Sequence, residues 1–202
     1  MGLLRLPLEI RQEIYSYFIT AEPKAHPIRG VGITAVSHRF ASTELLHIDH
    51  RITNDVLDYF YTVSTWKLIF SHAFNFFRTD ANLTALENAN CLRKIQRVEL
   101  VFFCDILLLK EYPSFGVEKF CAEIKRRATR ACEVLSNAKG LRHVTISWVD
   151  TTTIGEWQEK AKILESLRWL KADVKFSIGE IEGPMAEERT EFVNSVKEIL
   201  SS

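Results

Sequence analysis

Little in this chain points to covalent chemistry. Only four of its 202 residues are cysteines (Cys91, Cys104, Cys121 and Cys132), at irregular spacings and with no C-x-x-C pair. No disulfide framework is expected, and the pattern suits a reducing, intracellular compartment, cytoplasmic or nuclear. An excess of either charge is missing too: 26 basic and 26 acidic side chains cancel. That argues against a general nucleic-acid or anionic-membrane binder held by long-range attraction. The richest apolar run, VELVFFCDILLLK, is interrupted by Glu99 and Asp105, far short of the roughly 20 apolar residues of a membrane span. Behind MGLLRL, Arg5, Pro7 and Glu9 break any signal-peptide core, and Leu6 stands where a myristoylation signal needs Ser or Thr. GVGITAVSH holds a G-x-G without a third glycine or a preceding strand, and there is no G-x-x-x-x-G-K. Phosphate cradling is therefore not expected.

What is present is a core. With 47% apolar residues the chain can bury one compact domain, or one domain with a small appendage. Pro7 suits a first helical turn, Glu9 and Glu13 put negative charge near the positive helix end, and Leu6, Ile10, Ile14, Tyr17 and Phe18 fall at helical spacing. A short helix is predicted over about residues 7–18. Residues 20–41, with two prolines and two glycines, read as a connecting loop with at most short local structure. A stronger helix starts near Thr43, with Ile52, Val56, Phe60 and Val63 on its apolar stripe.

Beyond it the period changes. TWKLIF has strand character, the aromatic stretch to about Asn90 is ambiguous, and KIQRVELVFFC alternates and then turns continuously apolar, as a buried strand does. FGVEKFCAEIKRRATRACEVLSNAKG is an amphipathic helix with Gly140 in the position of a C-terminal cap. LRHVTISWV, GEWQEKAKILESLRWL, DVKFSIG and AEERTEFVNSVKEIL continue as strand, helix, strand and helix. Strands separated by helix-sized segments predict an α/β body around a small, mostly parallel sheet with crossover helices. LRKIQRVEL and GLRHVTISW share apolar positions leading into their strands. That leaves two forms open: an irregular leucine-rich-repeat-like sheet, or an ordinary open sheet. The expected division is a helical head with spacer over 1–63 and the α/β body over 64–202.

Candidate chemistry is thin. HIDH sets His47 and His50 one helical turn apart near Asp49, but both border the polar side of the helix and no third ligand has suitable spacing, so no metal is expected. Lys125, Arg126, Arg127 and Arg130 gather on one helix, flanked by Glu118, Glu123 and Glu133 that can pair with them. The phenylalanines of 70–77 read as core. One constellation comes from topology. The C-terminal ends of parallel strands would bring Asp105, Asp150, Glu180 and Glu182 to one edge, with Trp148 and Trp157 beside the DTTTIG loop as aromatic anchors. That acidic rim is expected to receive a basic or polar segment of a substrate protein.

LPLEIRQEIYSYF, a spacer, then LLHIDHRITNDVLDYFYTVSTWKL resembles the start of the F-box-like proteins of filamentous fungi, over roughly residues 3–70. The downstream LRKIQRVEL is similar to that group's α/β portion. The resemblance implies a helical head whose Leu6, Pro7, Ile10 and Ile14 meet the small adaptor subunit of a cullin-RING ubiquitin ligase, and a body that presents a substrate protein. It implies no catalytic residue, cofactor, nucleic acid or membrane. Two other classes stay open: a stand-alone scaffold that keeps the helical opening as core, and an enzyme using the acidic sheet edge.

Overall fold

The computed structural model describes residues 2–29, 31–40, 49–71, 76–104, 117–151, 157–170, 173–183 and 186–201. Helix α1, Leu8–Ser16, starts behind Pro7, whose missing N–H costs nothing there. The helix expected from Thr43, which lies outside the described residues, begins instead at His50: α2, His50–Val63, is capped by extended Asp49, whose carboxylate accepts from the Arg51 amide at 2.8 Å. Ile52, Val56 and Phe60, one turn apart in succession, are its buried stripe.

Strand β3, Thr65–Ser71, follows at once. The ambiguous aromatic stretch folds as helix α3, Phe76–Glu87, which buries Leu83 and Leu86. Strand β4, Arg97–Cys104, helix α4, Val117–Ser136, and strand β5, His143–Asp150, come next. Helix α5, Trp157–Lys162, then tightens into a 3₁₀ turn over Ile163–Trp169. Strand β6, Lys175–Glu182, and helix α6, Ala186–Ser201, complete the order.

The spacer is not only a loop. It contributes two short strands, β1, Lys24–Ala25, and β2, Thr34–Val36, which add antiparallel to β3. Thr34 and Val36 are buried, so these few residues sit in the sheet through tertiary packing that local periodicity does not report. The sheet has six strands in consecutive order, β1 to β6, with β3 to β6 parallel. Because β2 pairs with β3, the sheet runs across the expected head and body boundary. A single core extends from Tyr15 to Val196.

Consecutive order has a geometrical consequence. Crossovers of one hand between neighbouring parallel strands put every connecting helix on the same side. Burial follows suit: Leu68, Phe70, Leu100, Phe102, Ile146 and Trp148 are buried beneath the helices, and the residues alternating with them are mostly exposed or half-buried. This is the arrangement of stacked repeat-like units, not of a sheet wound on both faces. Gly140 has a different role from the predicted cap. Helix α4 ends at Ser136, and a Cβ on Gly140 would stand 3.1–3.3 Å from the carbonyl oxygens of Arg93, Lys94 and Ile95. The glycine lets two backbones meet, and its own amide bonds the Arg93 carbonyl at 3.1 Å. Among the described residues no helix is long and apolar enough to cross a membrane.

Candidate functional site

Helix α1 is oriented against its own apolar pattern. Its inward side carries Arg11, ion-paired to Asp55 of α2, and Tyr15, fully buried with its ring centre 6.3 Å from that of Tyr59. Ile19 is buried just beyond the helix end. Among the described residues the Tyr15 hydroxyl finds no hydrogen-bond partner, and burial raises its pKa against the opposing pull of Arg11. The outward side is the oily one. Leu6, Leu8, Ile10, Tyr17 and Phe18 are 38%, 45%, 49%, 74% and 51% exposed. Pro7 is exposed and Ile14 half-buried. Of the expected docking residues, Leu6, Pro7 and Ile10 therefore face solvent and Ile14 partly so. Most of these side chains are already half covered, so burying the remainder would return roughly 1 kcal/mol each, and exposed apolar side chains gathered at one helix make this the candidate interaction surface.

The acidic rim does not form as expected. Asp150, the last residue of β5, is 3% exposed and bonded at 2.6 Å to Lys160 of α5, itself 2% exposed. The Lys160 ammonium lies 4.9 Å from the Trp157 ring centre. The Trp157 indole N–H donates to Glu188 of α6 at 3.1 Å. Trp148 is fully buried, with its ring centre 5.5 Å from that of Phe102 and 5.1 Å from that of Phe192. Trp148, Asp150 and Trp157 are thus interior residues tying β5 to α5 and α6, and cannot anchor a partner. The physical reason is Lys160, which supplies the counter-charge that lets the Asp150 carboxylate leave water. The sequence carried a signal for it: Trp157, Lys160, Ala161 and Leu164 share one helical stripe. Glu180 and Glu182 are exposed, and Asp105 lies outside the described residues. Beside this corner, burial first and then the Asp150 charge hold the Cys104 thiol well above its ordinary pKa, which suits packing and not nucleophilic attack.

A surface that the sequence patterns did not single out is the side of the sheet that no described helix covers. At the starts of the strands, Arg97, His143 and Lys175 stand in register and exposed. Arg93, Lys94, Lys139 and Arg142 are exposed on adjoining turns. One step along, Glu99 holds Lys67 at 2.8 Å and accepts from Ser147 at 2.8 Å, and Thr145 bonds Ser177 at 2.9 Å. Further on, Ile69 is 38% exposed, with Val101, Phe103 and Val149 half-buried beside it. The face runs from basic through polar to apolar. Only the register, which sequence leaves open, could have revealed it.

The basic run of α4 is internally neutralised. Arg126 binds Asp80 and Glu123, Arg130 binds Glu87 and Glu133, Lys125 binds Glu165, and buried Arg127 binds Glu123, all within 3.1 Å. Of the histidine pair, His47 lies outside the described residues, and Asp49 is committed to the α2 cap. Among the described residues no cluster of three or more His, Cys, Asp or Glu could hold a metal ion. Comparisons of the chain with protein-family models, with curated proteins and with solved structures return no match.

Proposed function

We propose that the chain is an F-box-like protein-interaction adaptor acting by proximity. In this reading α1 and the residues before it dock on the adaptor subunit of a cullin-RING ubiquitin ligase through Leu6, Pro7, Ile10 and Ile14. The α/β body holds a substrate protein at high effective concentration beside the ligase. The observation that carries the reading is the orientation of α1: an arginine and a tyrosine face its own protein while leucine, isoleucine and phenylalanine face water. A helix kept merely as core would bury the reverse set. With Trp148, Asp150 and Trp157 interior, the substrate surface moves from the strand-end rim to the uncovered sheet face, where Glu180 and Glu182 remain available at its outer edge.

The test is co-purification of the full chain with the fungal ligase adaptor, beside a Leu6→Asp, Ile10→Asp double variant. Both side chains are exposed, so the variant should keep its circular dichroism spectrum and melting temperature while losing the complex. A complex that survives the double change, or no complex with the unaltered chain, removes ligase recruitment. The latter outcome would favour a stand-alone scaffold with a different partner on the same patch.

A further inference from the structure

The two edges of the sheet are unequal. β1 has two residues and lies between Pro23 and Pro27, and prolines at an edge remove donors and blunt pairing. β6 has eight residues and no proline, and among the described residues no strand pairs with its outer side. A groove of about 710 Å³ runs between β6 and α6, lined by Phe176, Ile178, Val193, Lys197 and Leu200. An open edge beside an apolar groove is built to accept an added strand.

The charge order of β6 says which strand. Lys175 opens it, and Glu180 and Glu182 close it. Turned antiparallel on itself, the strand sets Lys175 opposite Glu182 of a second copy and Phe176 opposite Ile181. In a regular strand an odd separation would put each of these pairs on opposite faces. Here the pairing with β5 steps from Ile146 with Ile178 to Trp148 with Ile181, so Gly179 and Glu180 together oppose Ser147. This bulge returns Ile181 to the helix-covered side with Phe176, and Glu182 to the uncovered side with Lys175. Gly179 gives the bulge room, because a Cβ there would press on the Ser147 hydroxyl and approach the Thr145 methyl to 2.8 Å, so that those side chains would have to shift.

We infer that a second copy of this chain occupies the edge, the two β6 strands joining into one continuous sheet about a two-fold axis at the bulge. Opposite charges then meet at both ends of the seam, and the apolar grooves lie alongside. The contact is isologous and closes on itself. The proline-flanked β1 edge gives no second site for growth into a filament. This inference is independent of ligase recruitment, which uses the other end of the chain.

The test measures the mass of the full chain by sedimentation across a wide concentration range. The unaltered protein should pass from monomer to dimer. Lys175→Glu and Glu182→Lys, each placing like charges at both ends of the seam, should raise the dissociation constant roughly tenfold or more. Mixing the two variants should restore dimerisation as a heterodimer, because every cross-pair is then of opposite sign. An unaltered chain that stays monomeric at all concentrations, or a dimer indifferent to both variants, overturns the inference.

Discussion

Two places in this molecule have similar ingredients and opposite outcomes. The corner where β5 ends and the outer side of α1 each combine large apolar side chains with nearby charge. At the corner the charge went inside: Asp150 and Lys160 pair in the interior, with Trp148 and Trp157 closed around them. At α1 the charge sits half-buried against α2, as Arg11 with Asp55, and the oily residues lie on the outward side. The difference lies in what surrounds each pair. The corner has α5 and α6 to cover its rings, whereas among the described helices α1 packs chiefly against α2. A fully buried pair closed over by rings seals its corner, whereas a half-buried pair at the edge of a helix leaves the apolar side of that helix outside.

That contrast can be broken first at the sealed corner. Lys160→Ala takes the lysine's counter-charge from the buried Asp150 carboxylate and should cost about 3–5 kcal/mol in denaturant unfolding. Replacing both by leucine and methionine should recover most of that loss. A single variant costing under ~1 kcal/mol would mean the corner is open. Trp157→Phe removes the bond to Glu188 and leaves part of the buried indole's volume unfilled, so a loss of about 1–3 kcal/mol is expected. On the α1 side the effects shrink. Tyr15→Phe removes a buried hydroxyl that has no partner among the described residues, and stability should hold or rise slightly, a sign that thermal melts will read directly. Ile10→Asp should change stability by less than ~0.5 kcal/mol, since the side chain already faces water. A large loss there would return α1 to the core and erase the contrast.

Periodicity carried most of the architecture. Alternation in RVELVFFC and the 3.6-residue stripe of α2 report burial of their own side chains, which is a local property. β1 and β2 were missed because two or three residues hold their places through Leu68 and Trp66, far along the chain. α3 was ambiguous because its apolar residues form no narrow stripe. The rim was misread for a related reason. Topology placed Asp150 at a strand end, where open sheets often bind ligands, but its exposure was decided by a lysine on a neighbouring helix. The outward face of α1 was anticipated only through resemblance, since an amphipathic pattern by itself predicts the reverse orientation.

The consecutive strand order bears on how the molecule comes together. β4 pairs only with the strand just before it and the one just after, and β5 does the same. No strand has to be threaded between two already in place. Each crossover unit can dock as it emerges, so the parallel body can assemble in the direction of synthesis, with modest loop-closure cost at each step. Until β6 arrives, β5 is itself an unprotected edge. The interval between their syntheses is when a nascent chain is most open to pairing with the wrong strand.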